Sequence, residues 1–97
     1  MTNEELLKKK VNLIKLLNTS NYKSVINYMT ENIDNLDVQF CEMFICGFDV
    51  NLSKELPDEL VQKINSLADG FKTFRESFKW EIIKNVIKGD FEISIKK

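Results

Sequence analysis

The side chains that could do chemistry in this chain are few, and they form no recognisable catalytic set. The chain has no histidine, which removes the commonest general base, the usual activation of serine and cysteine nucleophiles, and most zinc sites. Its two thiols, Cys41 and Cys46, lie in an apolar stretch at a spacing that matches no common pair of metal ligands. We therefore predict two buried free thiols and neither a metal nor a cofactor.

Carboxylates and glycines give no stronger signal for catalysis. Glu55, Asp58 and Glu59 lie close together, but acidic residues beside a proline are typical of the first turn of a helix. The three glycines lie far apart, so no glycine-rich phosphate loop is present. These patterns predict that the protein is not an enzyme.

One stretch combines cations and aromatic rings in a way that could hold nucleic acid. Within residues 71–80, Lys72, Arg75 and Lys79 recur every three or four positions, so on a helix they would share one flank. Interleaved aromatic rings can stack bases while the cations hold phosphates. A nucleic-acid-binding regulator is therefore one alternative, although a net charge of −1 is unlike the basic footprint of most such proteins.

The same stretch lies within the longest periodic pattern of the chain. Apolar residues recur every three or four positions, as on one face of a helix: Leu60, Ile64, Leu67, Phe71, Phe74, Phe78, Ile82 and Val86. Pro57 suits a first helical turn, and Gly89 suits the left-handed position after a last turn. We predict one long C-terminal helix over about residues 57–87, bent, if anywhere, at Gly70.

A second apolar stripe on this helix is the main candidate for a binding surface. Trp80, Ile83 and Ile87 lie well away from the first stripe at 100° per residue. Either the first or second helix covers this stripe, or another chain does, and tryptophan is enriched at the centres of protein interfaces. Phe91 and Ile93 follow directly, and with the stripe they make up the predicted partner-binding surface.

The remaining elements follow from caps and periodicity. Thr2 and Glu5 have capping-box spacing, and they begin a first helix predicted over about residues 3–17. A second helix is predicted over about residues 21–32, and a short buried helix is predicted to end at Gly47. Residues 48–52 and 91–95 alternate between apolar and polar side chains, which predicts a two-stranded sheet. The expected fold is a mainly α single domain over residues 1–97.

Composition guides the functional hypothesis. Thirteen lysines against one arginine, ten asparagines, ten isoleucines and a single alanine are typical of an AT-rich genome. The chain lacks a secretory signal and a membrane-spanning run, so we expect a cytoplasmic protein. The leading hypothesis is a non-catalytic protein-interaction module of phage or mobile-element type, which forms a homodimer and binds and inhibits or protects another protein. A second alternative is an oligomer that sequesters a small anionic ligand.

Overall fold

Helices dominate the structure. The computed structural model describes residues 2–19 and 21–89, and its five α-helices are α1 (Asn3–Thr19), α2 (Tyr22–Glu31), α3 (Val38–Gly47), α4 (Asp58–Leu67) and α5 (Phe74–Lys88). Three short 3-10 segments connect them, at Ile33–Asn35, Val50–Glu55 and Ala68–Gly70. The prediction of a mainly α fold is confirmed.

Polar side chains begin four of the five helices. The Thr2 hydroxyl accepts the Glu5 N–H at 3.1 Å, and the Glu5 carboxylate accepts the Thr2 N–H at 3.0 Å. These are the two reciprocal bonds of the predicted capping box, which satisfies N–H groups that a first turn leaves free. Asn21, Asp37 and Thr73 accept a backbone N–H in the same way at the starts of α2, α3 and α5.

The core forms around α3, which packs against α1, α4 and α5. Four side chains of α3 are fully buried, namely Phe40, Cys41, Phe44 and Ile45. The other helices add the remaining helical residues of the same apolar cluster, which are Leu13, Val25, Ile26, Met29, Leu60, Ile64, Trp80 and Ile83. With a single alanine in the chain, the helices depend on this packing more than on intrinsic helix propensity.

The predicted two-stranded sheet is not present in the described residues. Its first segment, residues 48–52, runs into a 3-10 helix that extends over Val50–Glu55. Side chains stabilise this turn, because the Asp49 carboxylate accepts the Asn51 N–H and the Ser53 hydroxyl donates to the Val50 carbonyl. Such local bonds compete with strand pairing. The second segment, residues 91–95, lies outside the described residues.

The predicted long C-terminal helix is two helices. α4 ends at Leu67, a 3-10 turn follows, and Thr73 caps a new helix, α5. The chain at Gly70 passes so close to α3 that a Cβ atom there would lie 2.8 Å from Val38 Cγ2. The break therefore occurs where the chain turns against α3. Because α4 and α5 are separate helices, the face that α5 buries does not have to continue the face that α4 buries.

This close approach predicts a clear mutational result. Gly70→Ala should lower the free energy of unfolding by about 1–3 kcal/mol, because the added methyl meets a stiff β-branched side chain. Urea denaturation measures this change. Val38→Ala removes the opposing methyl groups, so Gly70→Ala should cost much less in that background; an equal loss in both backgrounds would contradict the steric explanation.

Candidate protein-interaction surface

The second apolar stripe of α5, Trp80, Ile83 and Ile87, packs within the chain. Trp80 and Ile83 are 1% and 0% exposed, and Ile87 is half-buried against the same core. Trp80 and Ile83 are therefore covered within the chain, which is one of the two alternatives given for this stripe, and a role of Ile87 in partner binding stays a prediction. The cover comes mainly from the 3-10 segment Val50–Glu55 and from α3, not from the first or second helix. The Trp80 indole also donates to Asn65 Oδ1 at 3.1 Å, which links α5 to α4.

The remaining predicted partner-binding residues, Phe91 and Ile93, lie outside the described residues. The prediction that they pair in a strand or meet another chain stays a prediction. The described part of α5 nevertheless offers a different candidate surface on its opposite side.

Two phenylalanines of the first apolar stripe, whose helical spacing predicts that they lie in the core, instead point into solvent. Phe74 is 82% exposed and Phe78 is 56% exposed, one helical turn apart. Their rings stack with centroids 5.7 Å apart and planes 19° apart. We call these two residues the Phe74–Phe78 patch. A single exposed apolar residue is ordinary, but two adjacent large aromatic rings leave a continuous apolar area uncovered.

The three cations proposed for nucleic-acid binding do not share one helical flank. Lys72 precedes α5, and its backbone N–H donates to the Glu42 carboxylate. Lys79 Nζ donates to the Cys46 carbonyl at 3.2 Å, and burial lowers the pKa of Lys79. Arg75, with 81% of its side chain exposed, lies in solvent beside the Phe74–Phe78 patch, and Lys72 is exposed as well.

The segment that carries the patch has an excess of basic residues. Residues 70–89 contain five basic and two acidic side chains. One of the two acids, Glu81, lies 3.0 Å from Lys84 Nζ, and the other, Glu76, is buried. A partner surface that covers the patch therefore approaches an excess of positive charge.

A second apolar row lies on α1. Leu7, Val11 and Ile14 are 60%, 43% and 46% exposed, and they follow one another at helical spacing. Ile14 also lines a groove of about 470 Å³, together with Met43 of α3 and Glu76 of α5. This groove lies where α1, α3 and the start of α5 meet.

The two thiols differ in environment. Cys41 is buried, and loss of solvent, aided by the charges of Asp37 and Glu42, raises its pKa to about 12. A thiol with so high a pKa is a poor nucleophile. Cys46 is an exposed free thiol, so the prediction of burial holds for Cys41 and is wrong for Cys46. Within residues 2–19 and 21–89, no cluster of three or more potential ligands could hold a metal ion.

Comparisons with protein-family models, with curated proteins and with solved structures find no match to this chain. In the part of the chain that the structure describes, no helix combines the length and the apolarity needed to cross a membrane.

Proposed function

We propose that this protein is a non-catalytic interaction module that binds another protein through the Phe74–Phe78 patch. The observation that carries the proposal is the exposure of a stacked aromatic pair on a helix whose opposite face is anchored in the core. Burial of a large apolar side chain contributes about 1.5–3 kcal/mol. Two such rings at the centre of an interface are therefore enough to dominate its affinity.

The helix that carries the patch is held firmly in place by its other contacts. Thr73 accepts the Glu76 N–H at the start of α5, and Trp80 is fixed in the core by apolar contacts and by its bond to Asn65. A helix held in this way loses little conformational entropy when a partner binds. The two rings thus form a rigid ridge that fits a complementary apolar pocket.

Charge determines which kind of partner fits. Arg75 is exposed beside the rings, and basic residues outnumber acidic ones around them. We therefore propose a partner with an apolar pocket and an acidic rim. A second copy of the chain fits less well, because a symmetric pair would bring the Arg75 side of each α5 against the same side of its mate. A homodimer is therefore the less favoured alternative, and the experiment described below distinguishes it from binding to another protein.

The biological role that we propose is inhibition or protection of the bound protein. A small chain with a rigid aromatic ridge can act simply by covering a surface, which needs no catalytic group. The excess of lysine, asparagine and isoleucine is typical of an AT-rich genome, and it supports the proposal of an accessory protein of a phage or mobile element. A nucleic-acid-binding regulator is the rival, since Arg75 beside exposed rings could stack and hold a single strand.

Substitution of the two rings tests the proposal. Phe74→Ser and Phe78→Ser, alone and together, should leave the thermal unfolding temperature almost unchanged, because exposed side chains contribute little to folding. Each single change should weaken capture of the native partner by about tenfold or more. Quantitative affinity capture from the native cell, followed by titration of the purified partner, measures both effects.

Leu7→Ser is the matched control, because Leu7 is an exposed apolar residue on a different helix. A partner retained by this variant and lost by both phenylalanine variants supports the proposal. Equal loss in all three variants, or capture that survives Phe74→Ser/Phe78→Ser, overturns it. Sedimentation that shows a wild-type dimer dissociated by Phe78→Ser would identify a second copy as the occupant, and salt-sensitive binding of single-stranded DNA would favour the regulator.

A further inference from the structure

The first helix, α1, exposes an apolar row that the described chain leaves largely uncovered. Leu7, Val11 and Ile14 are four and then three positions apart, so they follow one side of the helix. Each of them is at least 43% exposed. An alternation of four and three is the spacing at which two helices pack side by side with their apolar side chains interlocked. We call these three residues the α1 row.

The opposite side of α1 is fixed to the rest of the protein. Leu13 is fully buried, and Lys10 Nζ donates to the Asp37 carboxylate at 3.0 Å. The Tyr28 hydroxyl of α2 donates to the Lys9 carbonyl at 3.0 Å. These contacts hold α1 along the same stretch that carries the row. The row is therefore presented on a helix that a partner does not have to order when it binds.

Lysines border one flank of the row. Lys8 and Lys15 are seven positions apart and so lie on the same side of α1, and together with Leu7 and Val11 they line an open groove along the helix. No described residue forms an ion pair with either lysine. Glu4 lines the N-terminal end of the same groove. The two lysines outnumber this one acid, so a surface that lies along the groove meets an excess of positive charge.

The other flank of the row gives no preference for either charge. There Ile14 borders the groove between α1, α3 and the start of α5, whose lining includes Glu42, Glu76 and Lys72. Acidic and basic side chains are mixed in this groove, and the Glu42 carboxylate already accepts the backbone N–H of Lys72. Any charge preference of the row therefore comes from its lysine side.

We propose that the α1 row is a second docking surface, and that it binds an amphipathic helix of another protein with acidic side chains along one edge. The apolar side of such a helix packs between Leu7, Val11 and Ile14, in the manner of a helix in an apolar groove. Its acidic edge lies against Lys8 and Lys15, where opposite charges fix the orientation of the bound helix. The surface is separate from the Phe74–Phe78 patch, and the inference does not rest on the proposed function.

Charge disfavours the other two occupants of an exposed helix face. A second copy packed antiparallel, row against row, would bring Lys8 and Lys15 of each chain against the same residues of its mate. A membrane would attract the lysines only if it were anionic, but the chain as a whole has a net charge of −1, and three apolar side chains insert little area. An acidic helix both pairs with the lysines and covers the row.

A designed peptide tests the surface without knowledge of the partner. The probe is a fluorescein-labelled helix of three heptads with leucine at a and d and glutamate at e and g, where like charges keep the peptide from pairing with itself. Fluorescence anisotropy with the full chain at low salt should give a Kd of about 10–100 μM. The same peptide with lysine at e and g should bind at least about tenfold more weakly. Leu7→Ser should weaken binding of the acidic peptide by about tenfold or more.

Charge reversal distinguishes this surface from a merely sticky one. Lys8 and Lys15 are exposed, so the double variant Lys8→Glu/Lys15→Glu should keep the fold and exchange the preference, with the lysine peptide now bound more tightly. A reversal that leaves the preference unchanged overturns the inference. So does a wild-type dimer that Leu7→Ser dissociates, or binding to phosphatidylserine vesicles in place of the peptide.

Phe78→Ser is the matched control, because Phe78 is an exposed apolar residue on a different helix. This variant should bind the acidic peptide as tightly as wild type. Loss of the peptide in Phe78→Ser but not in Leu7→Ser would contradict the location on α1. Because the two proposals use different residues and different probes, failure of one is distinguishable from failure of the other.

Discussion

Trp80→Ala is expected to lower the free energy of unfolding by about 3–5 kcal/mol, whereas Phe78→Ala should change it by less than about 0.5 kcal/mol. The two residues are aromatic, lie on the same helix and are only two positions apart. Trp80 is 1% exposed and fills the core, whereas Phe78 is 56% exposed. The large difference follows from burial alone, since removal of a core side chain costs its transfer free energy and leaves a cavity.

Urea denaturation of the two variants, followed by circular dichroism, measures the difference. A loss of this size is a large part of the total stability of a small domain. Trp80→Phe is the milder comparison, because it keeps an aromatic ring and loses the bond to Asn65. Equal losses for Trp80→Ala and Phe78→Ala would contradict the orientation of α5 described above.

The sequence predicted the parts of the fold that depend on local interactions. The capping box of Thr2 and Glu5, the short buried helix that ends at Gly47, and the left-handed Gly89 after α5 are all present. Each of these features depends on residues within a few positions of one another. Their geometry is therefore encoded in short stretches of sequence, and long-range packing does not alter it.

The orientation of α5 could not be predicted in the same way. A helix with two apolar stripes can bury either, and the choice depends on which elements cover it. Here the cover comes mainly from the segment Val50–Glu55, whose alternating pattern predicted a strand. Because this segment was predicted as a strand, the sequence could not show that it covers the Trp80 side of α5 and leaves the Phe78 side exposed.

The exposure of the Phe74–Phe78 patch likewise depends on long-range contacts and could not be predicted from local sequence. The sequence predicts that Phe74 and Phe78 lie in the core, because a continuous apolar stripe joins them to Leu60 and Ile64 through Gly70. The break at Gly70 ends that continuity, and its cause, the contact with Val38, is distant in sequence.

Asp37→Ala is expected to destabilise the protein by about 2–3 kcal/mol, for two separable reasons. The Asp37 carboxylate accepts the Phe40 N–H at 2.8 Å at the start of α3, and it accepts from Lys10 Nζ at 3.0 Å. Loss of the cap alone costs about 1 kcal/mol. The Lys10 side chain is only 9% exposed, so its ammonium would be left with Gln39 as its one remaining acceptor among the described residues.

A double-mutant cycle separates the two terms. Lys10→Met keeps the apolar stem of the side chain and removes the charge. Asp37→Ala in that background should cost only the cap, so the two changes together should be less destabilising than the sum of their separate effects. Urea denaturation of the four proteins gives the coupling free energy. Strict additivity would show that Lys10 contributes nothing through Asp37.

The same pair predicts a pH dependence of stability. Burial alone would raise the pKa of Asp37, but the bonds from Phe40 and Lys10 outweigh it, and the pKa lies below its ordinary value. A carboxyl whose pKa is lower in the folded chain contributes stability that is complete above about pH 4. That contribution is lost as the pH falls through the folded pKa. Asp37→Asn keeps a good capping residue but carries no charge.

Asn at this position should therefore be less stable than wild type at neutral pH, and the difference should shrink toward zero in acid, where Asp37 itself becomes neutral. Glu5 has its pKa lowered by hydrogen bonds from Thr2 and titrates in the same range, but it does so in both proteins and cancels in the difference. Urea midpoints of wild type and Asp37→Asn across this range give the measurement. A difference that stays constant with pH would mean that the charge of Asp37 adds nothing to stability beyond its cap.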